Sequence, residues 1–271
     1  MDKNNNPAGR LHSLLIQGKA QTPNVHASEV WAELLNVPED DKSLLLRRVG
    51  QVMTLPSSVK EAMSHIDDLN HDIYLKWLPR VETSFSVLNF QIQWKQFIDR
   101  FDAEIMYGIE ICADRLARER PEKTVDENQL ELLLEKVNEL LEELESTEMD
   151  NKLWFYLYDN LVRVKEGIEE YKVCGIKPLE ASFERAVGNT VLTPNIYKEC
   201  QNTDIGKSFW EFMSKLAIVI TIAQGAIQIG KEQVFLIPEI NGNSDDQEKV
   251  IELPTEAIVE EKTTKRETKK T

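Results

Sequence analysis

The chain has 271 residues, 29% of them charged, and a formal net charge of −15. That balance disfavours non-specific attachment to nucleic acid or to anionic lipid, both of which favour positive charge. A hydrophobic content of 41% is enough to bury a core.

Three cysteines, Cys112, Cys174 and Cys200, are odd in number, far apart and in no CxxC spacing. This suits reduced thiols in a cytoplasmic protein and not a disulfide framework. The first residues, MDKNNNPAGR, lack the apolar segment of a secretory signal, so none is expected.

Taken in order, the chain reads as a succession of helices. Leu11, Leu14 and Leu15 predict a helix from Pro7 to about Lys19, with Pro7 at its start. Ser28 is a good N-cap for a helix carrying Val30, Trp31, Leu34 and Leu35 that stops near Pro38. Asp40 or Asp41 caps the next, where Leu44, Leu45, Val49 and Val52 recur at helical spacing. Leu55-Pro56 predicts a break, with a restart at Ser57 or Ser58 running to about Leu69. The pair over Ser28–Leu55 has the outline of a helix-turn-helix. It offers only Lys42, Arg47 and Arg48 on its second helix, so two packed helices are expected and no nucleic acid.

A break is expected before Pro79, followed by a short helix. Phe90 to Arg120 reads as one long helix, with Trp94, Phe97, Phe101, Ile105, Ile109, Cys112 and Leu116 on its apolar face. Asp126 opens a second, to about Thr147, where Leu130, Leu134, Val137, Leu141 and Leu144 step like a heptad seam and Leu133 and Leu140 widen it. Its outer face is very acidic, Lys136 being the only basic residue between Asp126 and Asp150. A third runs from about Asp150 to Val173 and stops at Cys174-Gly175. Pro178–Val191 and Pro194–Asn202 read as shorter helices.

The most apolar stretch is Phe209–Gly230, without charge from Leu216 onward. A spanning helix needs roughly 20 mainly apolar residues, and reaching that length brings in Glu211 and Lys215. Ser214, Ala217, Thr221, Gln224, Gln228 and Lys231 share one weakly polar stripe, and the other faces are apolar. The expectation is a helix buried on most sides within a bundle. The alternative is a membrane assembly with Ala217, Thr221 and Gly225 as a small-residue contact row. Residues 238–271 have few large apolar side chains and many charges, ending in KTTKRETKKT. They read as a disordered charged tail following a single helical domain over 1–237.

Motifs for phosphate loops, dinucleotide binding, zinc proteases and serine hydrolases are all missing. His12, His26, His65 and His71 all lie in the first third. His65, Asp67, Asp68, His71 and Asp72 form the densest cluster of metal-ligating residue types, but Asn70-His71-Asp72 equally suits a helix cap. Asp99, Asp102, Glu110 and Asp114 could face a metal pair in a bundle, yet the Glu-x-x-His motif of that class is missing.

The sequence thus predicts an all-α, irregular multi-helix bundle, its long antiparallel helices packed around a hydrophobic C-terminal helix. The expected role is a non-enzymatic protein-interaction or regulatory module without cofactor. Glu135, Glu139, Glu142 and Glu143 would form an acidic face for a basic protein partner. The alternatives are a membrane-acting effector using residues 209–230 and a metal-dependent hydrolase using residues 65–72.

Overall fold

Short polar side chains start half of the helices. Asn6, Asp41, Asn70, Asp102, Asp126 and Asp150 each accept a hydrogen bond from a backbone N–H in the first turn that follows. Caps of this kind are typically worth about 1 kcal/mol each. The computed structural model describes residues 6–120, 122 and 124–224. Among these it contains twelve α-helices and no β-strand beyond an isolated bridge between His26 and Gln93. The all-α multi-helix expectation is met. The segment predicted to be a disordered tail, and the last six residues of Phe209–Gly230, lie outside the described residues.

Seven helices build the first core: α1 (Pro7–Lys19), α2 (Ala27–Leu34), α3 (Lys42–Ser64), α4 (His71–Tyr74), α5 (Leu78–Ser86), α6 (Trp94–Ile98) and α7 (Ala103–Glu119). Its centre is aromatic. Trp31 meets Trp94 edge to face at 5.4 Å between centroids, and Phe97 lies within 6.0 Å of Trp31, Phe85, Trp94 and Phe101. The Trp94 indole N–H donates to the Gly18 carbonyl at 2.6 Å, so the ring buries without leaving its polar atom unpaired.

Five helices build the second core: α8 (Glu127–Ser146), α9 (Asn151–Cys174), α10 (Lys177–Leu192), α11 (Pro194–Gln201) and α12 (Asp204–Gln224). Leucines from α8 and α9 pack there with Phe209, Phe212, Met213, Leu216 and Ile220 of α12. The C-terminal helix therefore fills this core as expected. The element common to both cores is α9, which packs on α1 and α3 as well as on α8, α10 and α11. Its last turn sends Val173 into the first core.

Five local expectations are corrected. Phe90–Arg120 is not one helix: α6 ends at Ile98, and Asp102 caps α7 by accepting from Ile105 N at 3.0 Å. Phe101, in the break, is fully buried. The residues before α6 lie alongside the start of α2, where Ala27 N donates to Ile92 O and Ser28 N to Phe90 O. That pairing consumes the Ser28 N–H and moves the N-cap back to His26. The break expected at Pro56 does not occur, because α3 passes through it. An internal proline costs about 3 kcal/mol, and burial of Val52, Leu55, Pro56 and Val59 on one side offsets it. On α8 the buried row is Leu133, Val137, Leu140 and Leu144, while Leu130, Leu134 and Leu141 are only half-buried. Finally, the outward stripe of α12 is not the weakly polar row, since Ser214, Ala217 and Thr221 are half-buried. Glu211, Lys215 and Ile222 face outward and Ile218 is half-buried, so the helix has one core face and one outer face.

Gly175 ends α9 at φ 68° and ψ −150°, a region essentially restricted to glycine. An added Cβ would also meet the Arg10 guanidinium at 2.8 Å. Gly175→Ala is expected to cost about 1–3 kcal/mol from the backbone alone. Urea unfolding checks this, and an unchanged midpoint would contradict the backbone geometry.

Candidate functional site

The helix α8 has more leucine than one core face can use. Leu133, Val137, Leu140 and Leu144 enter the second core. Leu130, Leu134, Asn138, Leu141 and Glu145 lie about a quarter-turn around the helix by the 100° step per residue, and all five line cavities. A groove runs along this second face. One part is a cleft of about 1040 Å³ that reaches from α1 and the start of α3 across to the N-terminal half of α8. The other, of about 570 Å³, continues beside the C-terminal half. Leu44 and Glu169 border both parts, which lie one after the other along α8. The helix α9 forms the floor.

The basic side chains of the groove are largely spent on acidic residues of this same chain. Arg48, almost fully buried, pairs with Glu169 at 2.8 Å. Arg47 pairs with Glu166 at 2.8 Å and reaches Glu170 at 3.7 Å, and the Glu166 hydrogen bond holds its guanidinium above the ordinary arginine range. Arg10 pairs with Glu122 and donates through Nε to Val173 O. Lys172 donates to Gln17 and to the Leu34 carbonyl. Two of the three basic residues on the second helix of the Ser28–Leu55 pair, Arg47 and Arg48, are thus tied to α9.

The opposite wall is acidic. Glu127, Glu131, Glu142 and Glu145 of α8 are exposed, line the groove and have no ion pair among the described residues. Lys165 of α9 also lines the smaller cavity and has no ion pair among the described residues. An aromatic pair stands at that end: Tyr158 lines the cavity and stacks on Trp154 at 4.8 Å with planes 12° apart. The groove is therefore an apolar row with a negative rim and an aromatic end. Its lining includes no histidine and no cysteine, so it offers neither a near-neutral base nor a thiol nucleophile.

The acidic residues singled out from sequence fall on a broader arc. Glu135, Glu139, Glu142 and Glu143 are all exposed. Glu142 borders the groove, while Glu139 pairs with Lys136 at 2.8 Å. Glu143 helps hold the Lys136 charge from a little farther away. The groove residues that sequence reasoning passed over are Glu127, Glu131 and Glu145. The available signal was the surplus of leucines on α8, two of which were read as widening a single seam.

The other candidates resolve into structural roles. His65 ends α3, and His71 Nε2 lies 3.0 Å from the Met63 carbonyl. Asn70 caps α4. Asp102 caps α7 and pairs with Arg80; Asp99 pairs with Lys95 and Asp114 with Arg118. No group of three or more metal-ligating side chains comes together among the described residues. Burial pushes the thiols of Cys112 and Cys174 up, and that of Cys200 up to about 11, which disfavours the reactive thiolate. Among the described residues no helix is long and apolar enough to cross a membrane.

Compared with known protein families, characterised proteins and solved structures, the chain has no significant match.

Proposed function

We propose that the protein is a non-enzymatic interaction module that receives a basic protein partner in the groove beside α8. The observation that carries this reading is the second apolar row of α8, Leu130, Leu134 and Leu141, set beneath unpaired glutamates. Half-buried leucines supply area to desolvate, and the negative rim selects and steers positive charge. The partner is a protein and not nucleic acid, whose phosphates the rim repels. The thiols, placed as packing groups with raised pKa values, suit a reducing compartment, and the proposed location is cytoplasmic.

The other readings have less behind them. The apolar side chains that a membrane effector would expose, Phe209, Phe212, Met213, Leu216 and Ile220, are engaged in the second core. A hydrolase on residues 65–72 lacks a gathered ligand set.

The test is affinity capture with the full chain at about 50 and 150 mM salt, where screening lengths differ. Wild type is compared with a variant carrying Glu127, Glu131, Glu142 and Glu145 changed to glutamine. A second variant carries Glu135, Glu139 and Glu143 changed to glutamine. A partner lost with the first variant and kept with the second is the expected result. A partner lost with the second and kept with the first places docking on the outer face of α8, and equal recovery throughout removes the acidic side of α8 from function.

A further inference from the structure

We infer that the occupant of the groove is an amphipathic, basic α-helix of about four turns, laid along α8 and over α9. The inference rests on the docking reading above and adds the partner's conformation, length and charge.

Conformation follows from backbone hydrogen bonding. An extended segment brings unpaired N–H and C=O groups that need an open strand edge when they are buried. No strand exists among the described residues. The groove walls are helices whose backbone groups are already committed to their own turns. A helical segment satisfies its own backbone and brings only side chains to the apolar floor. The lining row has matching geometry, because Leu130, Leu134 and Leu141 repeat at helical spacing and form a ridge that a neighbouring helix can pack against.

Length follows from the row. From Leu130 to Glu145 is about 22 Å at 1.5 Å per residue, which calls for about 15 residues of partner helix. Charge follows from the pairing pattern. The arginines of the facing wall are neutralised within the chain, whereas the four glutamates of the α8 wall have no ion pair among the described residues. Lysine or arginine flanking the partner's apolar stripe would meet that wall. At the smaller cavity, a cation can also rest on the face of Tyr158 that is not stacked on Trp154.

The experiment uses the full chain and three labelled synthetic 15-residue peptides, read by fluorescence anisotropy. The first places leucine at helical spacing among lysines. The second has the same composition in strict alternation, the strand period. The third replaces the lysines of the first with glutamate. The chain variants are Leu134→Lys with Leu141→Lys, both at half-buried positions, and Glu135→Gln with Glu139→Gln as the off-groove control. Circular dichroism verifies that each variant is folded.

The expected result is binding of the first peptide, weakened about tenfold or more by the double lysine variant and unchanged by the control. An interface contact worth about 1.4 kcal/mol corresponds to that factor. The third peptide is expected not to bind. Trp154 is the tryptophan that is not buried, so its iodide quenching is expected to fall when the first peptide binds. If the alternating peptide binds as well and is equally sensitive to Leu134→Lys and Leu141→Lys, the helical occupant is refuted while the groove stands. If no peptide responds to the groove variants, both readings fall. Sedimentation showing a dimer that these variants dissociate would make the occupant a second copy of the chain, and that also overturns the proposal.

Discussion

Phe97→Ala is expected to lower stability by about 3–5 kcal/mol, the usual range for removing a buried aromatic ring. Phe97 is fully buried and touches four other aromatic rings. Its loss leaves a cavity bounded by Trp31, Trp94, Phe85 and Phe101, which are themselves tied to different helices and cannot all collapse inward. Domain stabilities lie around 5–15 kcal/mol, so the change takes a large share of the total. The helix α9 gives Val173 to the first core and Leu153 to Ile168 to the second, so loosening one is expected to loosen the other. Urea unfolding followed by tryptophan fluorescence and by far-UV circular dichroism checks both points. Trp31 and Trp94 report the first core and Trp210 the second. A midpoint lowered equally in both signals is the expected outcome, and a split into two transitions would show the cores to be independent.

Local signals in the sequence carried far where one residue type decides the outcome. Asp41, Asn70, Asp126 and Asp150 and the glycine after α9 marked helix ends, because the physics of a cap is contained within four residues. Periodicity alone could not find the break between α6 and α7, since Trp94, Phe97, Phe101 and Ile105 keep helical spacing across it. A contact distant in sequence, the pairing of Phe90–Trp94 with Val25–Ser28, keeps the residues before α6 out of the helix, and at the break itself Asp102 caps the start of α7. Pro56 misled for the opposite reason, because tertiary burial outweighed a strong local preference.

The groove was harder to read. The acidity of α8 was visible, but which glutamates matter depends on where α3 and α9 stand. Arg47 and Arg48 are paired with α9, some 120 residues away in sequence. Only after that pairing is known does the α8 wall emerge as the one with unbalanced charge. The leucine row shows the same limit: helical spacing reveals that α8 has two adjacent apolar rows, while only packing reveals which of them α9 and α12 cover.

The two faces of α12 give the second large effect. Ile220 is 5% exposed in the second core, and Ile222, two residues on, is 37% exposed. Ile220→Asp is expected to cost roughly 3–5 kcal/mol, the range for an uncompensated buried charge. Ile222→Asp can hydrate its carboxylate and is expected to stay within about 0.5 kcal/mol. The pH dependence adds a signature. Burial raises the folded-state pKa of the new carboxyl above its unfolded value of about 3.9. The ionisation penalty is therefore absent below that unfolded value, grows as pH rises above it, and levels off past the folded pKa. Acidification from pH 7 toward 4 is expected to narrow the gap between Ile220→Asp and wild type, leaving the cost of the lost methyl groups and the buried neutral acid. Thermal melting of both variants at several pH values reads this directly. Equal loss in the two variants would mean that α12 is covered on both faces, and an unaffected Ile220→Asp would take α12 out of the second core.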